Sequence, residues 1–134
     1  MFKKILFVTV LAVTGFFLIR NSAPVSPPSS PAGIPSTATV IIDTGQSPPA
    51  TFSAQLSASE TALSLLQKVT ASADIPLGTQ QFDFGTLVYS IYDSANSSQA
   101  AWIYFINGQS ANVGADSYRV LPDDRIEWRY IAPL

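Results

Sequence analysis

Apolar and polar positions fall into a regular pattern only from residue 38 onward. Val40-Ile41-Ile42, inside Thr39-Val40-Ile41-Ile42-Asp43, is a short apolar run followed by Gly45 and Pro48-Pro49, and it predicts a first strand. Residues 51–56 alternate apolar and polar and predict a second. Ser57 and Glu60 then stand at capping-box spacing. Behind them Ala62, Leu63, Leu66, Val69 and Ala73 recur at helical spacing, which predicts a helix to about Ser72 with one stripe facing the core. Residues 74–78 end it, and residues 81–85 lead into a strand over 86–92. A polar loop at 93–99 follows.

The C-terminal part reads as a ribbon. Trp102-Ile103-Tyr104-Phe105-Ile106 is apolar at both alternating sets of positions, so this strand is expected to be covered on both sides. Asn107-Gly108 suits a two-residue type I′ hairpin, which needs positive φ at both positions. A second turn, a short strand and the turn Leu121-Pro122-Asp123-Asp124 come next, with proline where φ must lie near −60°. Ile126, Trp128 and Tyr130 share one face of the last strand, with Glu127 and Arg129 on the other. On the aromatic strand Trp102, Tyr104 and Ile106 share a face opposite Ile103 and Phe105. One of these faces lies under the helix. The other is either a partner site or is covered by the loops at 44–50 and 93–99. Two strands, one helix and several strands predict an α+β domain over 38–134. The expected fold is a ubiquitin-like β-grasp, one helix packed on a mixed or antiparallel sheet.

The first 37 residues have another character. Lys3 and Lys4 precede an apolar run from Ile5 to Ile19, and the span counted from Phe2 is just long enough to cross a bilayer. A Pro at 24 and Arg20 make a poor cleavage site. Residues 1–20 are therefore expected to form an uncleaved signal-anchor helix, with the lysines inside and the C-terminal domain outside the cell membrane. If the segment is cleaved, the protein is secreted. Residues 21–37 hold Pro24, Pro27, Pro28, Pro31 and Pro35 among serines and alanines. They predict a disordered, extended linker, able at about 3.1 Å per residue to hold the domain roughly 50 Å from the surface.

Composition removes several functions. The net charge of −2 hides an acidic domain: from residue 38 onward Lys68, Arg119, Arg125 and Arg129 face nine acids. Such a surface does not suit a nucleic-acid partner. Without Cys or His there is no disulfide, acylated-cysteine anchor, thiolate nucleophile, Cys/His zinc site or Ser-His-acid triad. Asp116 with Asp123-Asp124 has no calcium-loop spacing, and nothing sets Asp83 and Asp93 at a working separation. No metal site and no enzyme are expected.

Phe84-Gly85-Thr86-Leu87-Val88-Tyr89-Ser90-Ile91, then Trp102-Ile103-Tyr104-Phe105-Ile106-Asn107-Gly108 and the tail from Gly114 to Tyr130 resemble the transcobalamin-like C-terminal domain, known in bacteria as domain of unknown function 4430. The start of the helix at Ser59-Glu60-Thr61-Ala62 also suits that family. Asp123-Asp124 departs from its usual Gly-Asp, and Asp can fill a left-handed turn position. In the animal cobalamin carriers this small domain closes over one face of the corrin, and a helical barrel holds the other. The resemblance thus implies a corrinoid ligand contacted by Phe84, Gly85, Thr86, Gln109, Ser110, Ala111, Asn112 and Val113, with a partner supplying the second face. The alternative is an envelope protein-interaction domain without a small-molecule ligand.

Overall fold

The computed structural model describes residues 33–132. The expected signal-anchor and the linker as far as residue 32 lie outside these residues. Among the described residues no helix is long and apolar enough to cross a membrane.

The chain forms β1 (Thr37–Asp43), β2 (Ala50–Gln55), α1 (Ala62–Ser72), β3 (Leu77–Phe82), β4 (Gly85–Ile91), β5 (Ser94–Ala95), β6 (Ala101–Ile106), β7 (Gln109–Ser110) and β8 (Arg125–Ile131). This is a mixed α+β fold, mostly strand, with one helix among the described residues. Two sheets form where one was expected. The larger has the order β2-β1-β8-β6-β7, and the smaller β3-β4-β5. β1 runs parallel to β8, while β2 on β1 and β6 on β8 are antiparallel.

Register decides what meets in the core. Val40 lies beside Ile126 and Ile42 beside Trp128, with Tyr104 opposite Trp128 and Trp102 opposite Tyr130. These apolar side chains pack with Leu63, Leu65, Leu66 and Val69 of α1 and with Val88 and Ile91 of β4. The described residues form one compact unit around one hydrophobic core.

The other face of the large sheet is covered around Phe105 and stays exposed at Thr51 and Ser53 of β2. Phe105 is buried beneath the Arg129 guanidinium, whose Cζ sits 4.2 Å from the ring centroid. Glu127, buried beside it, accepts two hydrogen bonds of 2.9 Å from Arg129 and pairs with Arg125 at 3.3 Å. The charged side chains of β8 therefore act as the lid of the aromatic strand.

Three local expectations change. The helix starts at Ala62, capped by Thr61, which accepts from the Ser64 N–H at 3.1 Å while Ser64 Oγ accepts from the Thr61 N–H at 2.9 Å. Ser59, at φ 64°, cannot continue a helix. The Ser57–Glu60 spacing closes a separate turn, in which the Ser57 N–H donates to Glu60 Oε2. Ala73 is the exposed C-cap, and Leu65 and Thr70 take buried places. β3 was not foreseen because Leu-Gly-Thr-Gln-Gln-Phe has no alternation. Pairing with β4 makes it a strand. The expected short strand before Leu121 is reduced to a single bridge between Arg119 and Thr61.

The turns match expectation. Asn107 and Gly108 have φ of 51° and 86°. Asp123 takes φ 67°, and the Asp124 N–H donates to Leu121 O at 3.1 Å. Asp124 is buried and accepts from the Tyr118 hydroxyl, the Leu121 N–H and Asn107 Nδ2.

Candidate functional site

Where the two sheets meet, β4 and β6 face each other without pairing along their length. Asn96 stitches one end, donating Nδ2 to Val88 O at 3.0 Å and accepting from the Trp102 N–H at 2.8 Å. Asp116 ties the other, accepting from the Thr86 N–H at 2.7 Å. Its carboxylate is wedged between two glycines. A Cβ on Gly85 would lie 2.7 Å from Oδ2, and one on Gly114 would lie 2.8 Å from Oδ1. Gly85 also has φ +135°, a value that side chains resist.

Between these stitches lies a cleft of about 220 Å³. One wall is the β3–β4 hairpin from Phe84 to Val88. The opposite wall is the segment from Ala111 to Asp116, without Asn112. Trp102, Ile103, Tyr104 and Trp128 complete the lining. The loop wall is anchored by the Tyr104 hydroxyl, which donates to Val113 O, and by the Leu63 N–H, which donates to Ala115 O at 2.9 Å. Phe84 is 82% exposed at the hairpin tip, stacked on Phe82 at 5.0 Å, and Val113 is 46% exposed across from it. Large apolar side chains left in water at both lips are what a binding cleft shows and a sealed core does not.

The electrostatics are simple. Asp116 is the ionisable carboxylate in the lining, and Lys68, Arg119, Arg125 and Arg129 all lie elsewhere. Burial, reinforced by the Asp116 charge, raises the Tyr104 phenol, so it stays neutral. The indole of Trp102 donates to Ser94 O at 2.8 Å. Trp128, stacked on Tyr104 at 5.1 Å, has an indole N–H with no acceptor among the described residues.

Five of the eight residues expected to meet a ligand line this cleft: Phe84, Gly85, Thr86, Ala111 and Val113. Gln109, Ser110 and Asn112 line a separate groove of about 490 Å³ beside the Asn107-Gly108 turn, with Ala111 bordering both. Sequence reasoning missed Asp116 as a site residue and left open which face of the aromatic strand, that of Trp102 and Tyr104 or that of Ile103 and Phe105, met the core. The aromatic alternation that buried Trp102 and Tyr104 was the available signal, since a core residue beside a seam also lines it. Among the described residues no three His, Cys, Asp or Glu side chains gather into a metal-binding group.

The sequence profile of DUF4430, a domain of unknown function, matches residues 59–132, more than half of the chain. The chain belongs to the DUF4430 family. The match takes in α1 and every segment of the cleft, and begins after β1 and β2. The fold of this DUF4430 protein is also that of part of haptocorrin, crystallised in complex with Cbi. The TM-score is 0.69 at 15% identity, over 79% of this chain and 27% of haptocorrin. The DUF4430 chain thus spans about a quarter of haptocorrin's length. A protein from Ruminococcus gnavus ATCC 29149, described provisionally as metal binding, shares the fold with a TM-score of 0.57 at 17% identity. That likeness covers 74% of this chain and 99% of the other. At these identities the likeness is one of fold. No curated protein sequence matches. The family match and the haptocorrin likeness bear out the resemblance to the transcobalamin-like C-terminal domain.

Proposed function

We propose that this DUF4430 protein is a non-catalytic binding module held outside the membrane by residues 1–20 and spaced from it by residues 21–37. Its architecture is a β-grasp. The order β2-β1-β8-β6-β7, with β1 and β8 parallel at the centre and α1 following the first hairpin, supports that reading. The ligand class is a broad, mostly apolar molecule, a corrinoid in the first place, gripped on one face while a separate partner covers the other. The observation that carries the reading is the cleft between the sheets, with Phe84 and Val113 exposed at its lips. Haptocorrin, which was crystallised with Cbi, shares the fold that builds this seam. A disc covered on one face only keeps part of the desolvation gain, so affinity without the partner is weak.

The test is a titration of residues 33–134 with cyanocobalamin, followed by calorimetry and visible absorbance. Heat and a spectral shift are expected, with Phe84→Ala weakening binding by roughly ten-fold, about the loss of one partly buried aromatic contact. No heat and no spectral change would remove corrinoid binding by this domain alone. Probing membrane and soluble fractions with an antibody tests the anchor, and recovery of a shortened protein wholly from the medium would overturn it.

A second reading rests on the outer side of the β3–β4 hairpin. Tyr89 on β4 and Tyr92 just beyond its end are exposed, as is Leu87, which also borders the cleft. These form a surface for an envelope protein without any small ligand. Crosslinking from this face to an envelope protein, lost in Tyr89→Ser, would favour it.

A further inference from the structure

The strands β2, β7, β3 and β5 end the two sheets, and they differ in how far they are closed to further pairing. β5 and β7 are two residues long, and β3 carries a register shift at Gly78/Thr79. Short and irregular edges discourage the addition of another strand. β2 has neither device. Its six residues pair with β1 without a shift, and Ala-Thr-Phe-Ser-Ala-Gln contains no proline and no charge. The bonds at its end show which groups point outward. One residue past the β1–β2 ladder, the Leu56 N–H donates to Ser36 O at 2.8 Å. Hydrogen-bonded pairs alternate along an antiparallel ladder, so Phe52 and Ala54 bond inward to β1. Thr51, Ser53 and Gln55 turn their N–H and C=O groups to the open side. Lys68 Nζ reports the same phase, donating to Gln55 O at 3.0 Å. Thr51 and Ser53 are exposed, and among the described residues their outward backbone groups have no protein partner. Beside this edge, on the helix side, runs a groove of about 470 Å³ lined by Phe52, Ala54, Val69 and Ala73 among others.

We infer that β2 pairs with β2 of a second copy of this chain, antiparallel, about a two-fold axis at Ser53, so that two five-stranded sheets become one. The edge is complementary to itself. Such pairing sets Ser53 against Ser53 and Thr51 against Gln55 as hydrogen-bonded pairs, with Phe52 against Ala54 between them. The axis stands perpendicular to the sheet and keeps each face continuous. Phe52 of the second copy therefore lies on the side of the groove, large against small, while Thr51, Ser53 and Gln55 meet their own kind on the other face. No like charges oppose one another, because the strand carries none. Lys68 stands beside Gln55, at the ends of the pairing, and Gln55 O has a second lone pair to offer. The chain's own residues 21–32 are a poorer occupant, since Pro24, Pro27, Pro28 and Pro31 have no N–H to give to a ladder. Pairing here leaves the cleft open, as no residue of β2 lines it.

Sedimentation equilibrium of residues 33–134 from about 10 μM to about 1 mM, the range of a weak to moderate association, tests the pairing. The mass should rise with concentration towards that of a dimer. Ser53→Lys changes an exposed side chain, sets like charges face to face at the axis, and should weaken the dimer about ten-fold or more. Ser53→Pro removes an N–H that β1 does not use, so the fold should persist and the dimer should be lost. Gln80→Lys, on the bulged edge β3, should leave the dimer unchanged. A wild-type domain that stays monomeric throughout overturns the inference, and that measurement needs no variant to fold. A dimer that survives Ser53→Lys, or one that Gln80→Lys abolishes, overturns it as well. Amide exchange in the full chain separates the other occupant. Thr51 and Ser53 amides protected only as concentration rises support the second copy, whereas protection at every dilution assigns the edge to residues 1–32 and overturns the pairing.

Discussion

Gly85 and Asp116 are thirty-one positions apart, and the structure makes each a condition of the other. With φ +135° and no space for a Cβ against the carboxylate, Gly85 lets Asp116 reach the Thr86 N–H and tie the hairpin to the opposite loop. Gly85→Ala is expected to destabilise the domain by about 2 kcal/mol, through strain at this φ and displacement of Asp116. Urea unfolding followed by tryptophan fluorescence measures it. Glu60 supplies a pH dependence. Burial raises its carboxyl, but hydrogen bonds from Lys68, Ser64 and the Ser57 N–H outweigh that and bring it from 4.5 to about 2. A group whose pKa is depressed by folding binds its proton more readily when unfolded. Its contribution is therefore complete above about pH 4.5 and is lost as pH falls towards 2. Denaturant midpoints measured across that window should fall with acid, and should fall less steeply in Glu60→Gln. In the sequence Gly85 read as the end of the lead into a strand. Which carboxylate approached it was not legible, because nothing local links residue 85 to residue 116.

At the scale of elements, alternation was a good guide where one face met the core and a poor one where pairing alone made the strand. β8 shows the first case. Ile126, Trp128 and Tyr130 share the face that packs on the core, as their spacing predicted. The opposite residues, Glu127 and Arg129, were expected to be an ordinary polar face, yet Glu127 is buried and Arg129 shields Phe105. Arg129→Ala removes both hydrogen bonds to Glu127 and the cover over Phe105, leaving Arg125 as the remaining partner. A loss of about 2 kcal/mol in stability is expected, below the range for a fully buried pair because Arg129 is partly exposed. Thermal unfolding of the variant checks it. β3 shows the second case. Its polar sequence holds a strand because β4 offers a complementary edge, and the helix cap moved to Thr61 because Ser59 adopts a left-handed backbone.

For the whole molecule, the compact unit formed by the described residues contains the core, the cleft and both sheets. Residues 33–134 expressed alone should therefore unfold in a single cooperative transition. Calorimetric and van't Hoff enthalpies should agree, and two separated transitions would contradict this. Residue order by itself determined the strands at the two ends of the domain, the helix, the Asn107-Gly108 and Leu121–Asp124 turns and the family resemblance. Each depends on periodicity or backbone preference within a few neighbouring residues. Tertiary structure alone decided that the strands divide between two sheets, that their facing edges leave a seam, and that five of eight anticipated residues share it. It also decided that Trp128, a core residue, borders that seam. Those facts depend on groups far apart in the chain being brought together by packing, and no local pattern encodes the distance between them.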